Sequence, residues 1–169
     1  MQPLTHRDGF GPPTKWLTAQ NYCFYVFRFG YNCLGRPTAE QQATFDLNVK
    51  ALESTIVKAK AGVEMIELKQ IMHGIFKAAG HGAHVFGSPI HGVGIEFEES
   101  PLPPGHAFFH GENAPPPLVA NVVIAIGKCG LYLGRRGVRE EGSVVVGPER
   151  PIVLTNDVGG LLLYHHKNY

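Results

Sequence analysis

Residues 89–101 read Pro89-Ile90-His91-Gly92-Val93-Gly94-Ile95-Glu96-Phe97-Glu98-Glu99-Ser100-Pro101. Helical patterning stops shortly before this stretch and period-two patterning takes over. Val93, Ile95 and Phe97 alternate with Gly94, Glu96 and Glu98, which predicts a strand over Val93–Glu98 with one apolar face. The glycines beside His91 let the backbone approach whatever lies next to the imidazole. Alternation puts Glu96 and Glu98 on one face, so two acids and a histidine can share a site. A Gly-rich turn leading into an edge strand with solvated acids explains the same residues equally well.

On the N-terminal side, Thr38-Ala39-Glu40-Gln41 fits a capping box. Phe45, Val49, Leu52 and Ile56 follow at helical spacing, and Gly62 is the expected stop. A second helix is expected over about 65–79, turning Leu68, Ile71, Met72, Ile75 and Phe76 inward, with Gly80 as its terminator. On the C-terminal side, short strands are expected at Val122–Ile126, Leu131–Leu133, Ser143–Val146 and Ile152–Thr155, with turns at Gly130, Gly134, Gly137, Gly142 and Gly147-Pro148. His84–Phe86 reads as a strand before the central stretch. Residues 21–29 are aromatic and β-rich and also read as a strand. Residues 99–117 hold six of the thirteen prolines, so they form a loop. Two helices followed by a run of strands give an α+β fold with an antiparallel sheet packed on the helices.

The 169 residues suffice for one domain with a real core. Residues 1–20 read as an N-terminal arm, anchored by Trp16 and Leu17, and residues 21–169 as the domain. Net charge is +1 and no basic run stands out, which removes the electrostatic basis for nucleic-acid binding. Cys23, Cys33 and Cys129 make an odd set without a Cys-x-x-Cys pair, so neither a disulfide framework nor a zinc ribbon is indicated. The longest apolar run, around Leu118–Ile126, is too short to span a bilayer. No signal pattern opens the chain, and a cytoplasmic setting is expected.

The order of motifs resembles the methionine aminopeptidase/prolidase/creatinase superfamily, the pita-bread fold. Gly35-Arg36-Pro37-Thr38-Ala39-Glu40-Gln41 is similar to the start of that family's third helix, and Ala61-Gly62-Val63 with Glu67-Leu68 to the start of the next. His91-Gly92-Val93-Gly94 resembles the His-Gly-Ile-Gly segment that supplies a metal-binding histidine. Asn121–Tyr132 resembles the Gly-Met-Val-x-Thr-Ile-Glu-Pro-Gly strand, and Gly137-Val138-Arg139-Glu140-Glu141 the Gly-Val-Arg-Ile-Glu segment. The resemblance implies a half pita-bread: two helices on a curved antiparallel sheet, lacking the family's first two helices.

The departures bear on function. Active members hold two metal ions with two Asp, one His and two Glu. Residues 9–45 contain no Asp, and the Glu of the Thr-Ile-Glu-Pro strand falls at Gly127 or Lys128. The family's catalytic histidine, seven residues beyond the metal histidine, falls at Glu98. Only His91 and Glu141 keep ligand-type residues, too few to hold two divalent cations tightly. No metal and no cofactor are therefore expected.

The candidate catalytic residues are His91 as acid or base, Glu98 as its orienting group or second acid/base, and Glu141. The flanking glycines suggest that His91 contributes little packing, so that His91→Ala would leave the thermal midpoint nearly unchanged. Candidate substrate-binding residues are His81, His84, Glu96, His110 and Arg139, the last as an anion anchor. His106 and His110 with Glu112 could hold a metal only on a helix, and the surrounding prolines argue for a loop. Cys129 lacks an activating motif, and His165-His166 reads as a surface pair. Two functions compete: a repurposed, metal-independent enzyme acting by acid–base chemistry on a small polar or amino-acid-derived metabolite, and a non-catalytic pseudo-peptidase that binds a peptide or partner protein. Either one leaves an apolar sheet face that a homodimer or a partner half-domain would cover.

Overall fold

The computed structural model describes residues 32–34, 37–96, 98–102, 115–127, 130–133, 136–155 and 162–164. The N-terminal arm and the expected strand over 21–29 lie outside them. No described helix is long and apolar enough to cross a membrane.

Helix α1 spans Ala39–Ile56. Its start is the capping box expected from Thr38 and Gln41. The Gln41 N–H donates to Thr38 Oγ1 at 3.2 Å, and the Thr38 N–H donates to Gln41 Oε1 at 2.8 Å, satisfying two of the N–H groups a helix start leaves open. Phe45, Leu52 and Ile56 are buried and Val49 is half-buried. The helix ends at Ile56, short of Gly62, because tertiary pairing takes the chain away. The turn tightens through Lys58 N–H to Thr55 O and Ala59 N–H to Ile56 O. Ala59 is then fully buried, Lys60 bridges Gly147, and Gly62, at φ +85°, donates to Leu118 O.

Helix α2 spans Met65–Ala78 and packs against α1. It buries Met65, Leu68, Met72 and Phe76, while Ile71 and Ile75 are half-buried at its flank. Gly80, at φ +81°, takes the left-handed conformation that stops it. One turn of 3-10 helix, Gly82–His84, follows, so His84 belongs to that turn and the next strand is Val85–Phe86 alone.

Among the described residues the strands are β1 Asn32–Leu34, β2 Val85–Phe86, β3 Ile90–Gly92, β4 Val123–Ile126, β5 Gly130–Leu133, β6 Arg136–Val138, β7 Gly142–Val145, β8 Ile152–Val153 and β9 Leu162–Tyr164. They form an antiparallel sheet in the order β3-β4-β7-β8, a second antiparallel sheet β2-β5-β6, and a parallel pair β1-β9. The helices and the first sheet share one core around Leu52, Leu68, Phe76, Ile90, Ile124 and Val144. The fold is α+β, as expected. Strand β6 replaces the turn expected at Gly137, which pairs with Tyr132 across the β5–β6 ladder.

The central stretch differs from its reading. The strand is Ile90–Gly92, and from Val93 the chain bends instead of continuing extended. It doubles back so that Gly92 bridges Glu99: the Glu99 N–H donates to Gly92 O at 3.1 Å, and the Gly92 N–H donates to Pro101 O at 2.8 Å. The alternation was misleading because Gly92 and Gly94 permit a closer return than any side chain would. A Cβ on Gly92 would collide with the Ser100 carbonyl, and one on Gly94 with the Glu99 carboxylate. Ile95, expected on the apolar face, is 74% exposed at the bend.

Candidate functional site

Strand register assembles the site. His91 on β3 pairs with Ala125 on β4, and Ala125 pairs with Ser143 on β7. Paired residues share a sheet face, and so do residues two apart along a strand. Glu141 lies two residues before Ser143, so it and His91 project on the same side of the sheet. The small Ala125 between them leaves room for the two longer side chains to meet.

They meet directly. His91 Nε2 lies 3.1 Å from Glu141 Oε1, with both side chains only 1% exposed. The other carboxylate oxygen, Glu141 Oε2, accepts from Arg139 Nη2 at 2.8 Å. Arg139 is about a quarter exposed, so the chain of contacts runs from solvent to the buried imidazole. On its far side, His91 Nδ1 is 2.9 Å from Gly92 O. A carbonyl can only accept, so Nδ1 carries a proton there. Both ring nitrogens thus contact acceptors within the protein. His91 is also buried, at 1% exposure, where the glycines around it suggested little packing.

The remaining candidates are placed as follows. Glu98 is buried, on the loop that returns to Gly92. Glu96 is exposed, and its N–H donates to Glu99 Oε2 at 2.9 Å. Glu96 and Glu98 therefore do not share a strand face as the alternation implied: the chain bends between β3 and Glu99, leaving one in solvent and the other inside. His81 is half-buried and His84 exposed, their rings edge-to-face with centroids 6.1 Å apart. His106, His110, Glu112, Cys129, His165 and His166 lie outside the described residues. Sequence reading passed over Glu140, which is buried, and His73, whose only signal was its place between Lys69 and Lys77 on one helix face.

Gly127 stands beside this cluster and decides what it can hold. Ile126 pairs with Gly142, which places Gly127 opposite Glu141. Gly127 has φ +108°, and a Cβ there would collide with the Glu140 carbonyl oxygen. Its N–H is committed to Pro89 O at 2.7 Å. Backbone occupies the space where a side chain at this position would begin.

The chain matches metallopeptidase family M24 over residues 17–148. The chain belongs to that family. Its fold is similar to that of the X-Pro aminopeptidase from Thermotoga maritima MSB8, at 25% identity and a TM-score of 0.71, covering 84% of this chain and 38% of that one. It is also similar to the prolidase from Pyrococcus furiosus, at 26% identity and a TM-score of 0.69, covering 79% of this chain and 37% of that one. The dipeptidase PepE from Mycobacterium ulcerans, at 20% identity and a TM-score of 0.75, shares the fold over 88% of this chain and 38% of its own. The region shared with these proteins is under two-fifths of their length. A comparison with curated proteins finds no match. The pita-bread assignment and its partial extent stand on these likenesses.

The family resemblance implies a pair of divalent ions, and the residues present do not fit them. The imidazole of His91 and the carboxylate of Glu141 are bonded to each other, and that carboxylate is bonded to the Arg139 guanidinium as well. Gly127 has no room for a second glutamate, and the sequence before Gly35 has no Asp pair. Among the described residues, no group of three or more His, Cys, Asp or Glu is arranged to hold a metal.

Proposed function

We propose that this chain is a non-catalytic member of family M24, a pseudo-peptidase that binds a peptide or a partner protein in a cytoplasmic setting. One observation carries the reading. His91, the residue on which catalysis would turn, is 1% exposed with both ring nitrogens bonded to protein acceptors. A general acid or base must reach the substrate proton directly or through one water. The Arg139–Glu141–His91 cluster acts instead as a buried brace tying β3 to the start of β7. A second part of the proposal is that the chain works as a homodimer or with a partner half-domain. Light scattering after size exclusion tests this part, and a species of 18.4 kDa alone would refute it.

The competing reading keeps one supporting observation. Glu98 is buried on the loop that follows the strand of His91, and Arg139 reaches solvent from the cluster, as an anion anchor for a small polar substrate would. In that reading His91 serves as acid or base without a metal. Activity screening of the purified protein with small amino-acid derivatives, alongside His91→Gln, separates the two. Turnover abolished by His91→Gln with the fold intact would replace the binding reading. No turnover, together with saturable binding of proline-containing peptides, would support it.

A further inference from the structure

His73 and Lys77 lie one turn apart on α2 and line a groove of about 460 Å³ together with Gly80, Gly82 and Ala83. None of these residues belongs to the His91 cluster. His73 Nε2 is covered from solvent and has no hydrogen-bond partner among the described residues. Buried polar atoms are nearly always paired, and His73 lines the groove, so a turn of its ring would let a groove ligand supply the missing partner. Burial, and then Lys69 one turn earlier, holds the His73 imidazole below its ordinary range. The ring is therefore neutral near pH 7, with one N–H to give. Lys77 is exposed in the last turn of α2. The base of its side chain lies beside Gly82: a Cβ on Gly82 would sit 3.3 Å from Lys77 Cβ.

We propose that this groove binds a small molecule through its oxyanion group, a phosphate or a carboxylate, held by the Lys77 ammonium and the His73 imidazole. Lys77 supplies the charge and His73 a directed donor, reached by rotation of the ring about its broad, two-fold terminal torsion. A metal is the wrong occupant, because the neighbouring lysines repel a cation and, among the described residues, no group of three or more His, Cys, Asp or Glu is arranged to hold one. The volume falls within the range of about 300–1,000 Å³ typical of small-molecule sites, so the groove has room for an organic ester or acid beyond the anion itself.

The test is NMR of the histidine side chains and the backbone amides during titration with inorganic phosphate and, separately, acetate, at constant ionic strength. A saturable shift at His73 is expected, with its titration midpoint moving up because a bound anion favours the imidazolium. Lys77→Met should weaken the apparent affinity by roughly tenfold or more, and His73→Gln should leave the other histidine resonances in place while weakening the anion-dependent response of Gly82 and Ala83. A response to phosphate alone assigns the groove to phosphate esters, and a response to acetate as well extends it to carboxylic acids. No saturable shift with either anion, or an undiminished response in Lys77→Met, overturns the proposal.

Discussion

Replacing His91 by alanine should destabilise the fold substantially. The side chain is 1% exposed and bonded to Glu141, itself 1% exposed. Removing one partner from a buried carboxylate costs about 3–5 kcal/mol when its charge is left without compensation in a poor solvent. Arg139 still holds the second oxygen of Glu141, which places the loss at the low end, about 3 kcal/mol. For a chain of this size, that corresponds to a fall of roughly 6–12 °C in Tm. Urea unfolding followed by far-UV circular dichroism measures it. The double variant His91→Leu/Glu141→Leu should recover much of the loss, because it orphans no buried charge and Arg139 can turn to solvent. A coupling energy of about 1–3 kcal/mol is expected from the cycle. A loss below about 1 kcal/mol for His91→Ala would refute the claim that the cluster is a brace.

Gly127→Glu should not create a metal site and should destabilise the protein by about 1–3 kcal/mol or more, since φ +108° and the Glu140 carbonyl both oppose a side chain; metal titration and denaturation of the variant check both points. Thr38→Ala should cost about 1 kcal/mol through loss of the capping box, read as a small drop in Tm. His73 should make stability pH-dependent. Its native pKa is lowered, first by burial and then by Lys69, so below the ordinary imidazole value of about 6.5 the unfolded chain binds the extra proton. Its stabilising effect is complete above that pH and fades as pH falls through the window beneath it. The loss of stability on acidification should therefore be smaller in His73→Gln than in the parent protein.

The helices were legible because their signals are local. The Thr38–Gln41 box and the apolar spacing of α2 act within a few residues, and both elements form where those signals lie. The end of α1 was not legible, because it is set by pairing with Gly147 and Leu118, far along the chain. The bend after Gly92 failed for a related reason. Alternation at Val93–Glu98 is the pattern of a strand, but the missing side chains of Gly92 and Gly94 let Glu99 and Ser100 fold back over it. At the site, His91 and Glu141 could be singled out through the family motifs. Their direct contact depends on the β3-β4-β7 register and on Ala125 being small, which no local pattern reveals. The missing glutamate was readable at Gly127 or Lys128; the structure adds that backbone fills the space beside Gly127.

The central claim is that the metal position of this family is closed here, and metal-dependent hydrolysis of an Xaa-Pro dipeptide by the purified protein tests it most directly. The assay is run with excess Mn²⁺, Co²⁺ or Zn²⁺ and compared with His91→Gln. The predicted result is no hydrolysis above the metal-only blank, in either protein. Turnover that requires the metal and disappears in His91→Gln, with the variant still folded, would contradict it.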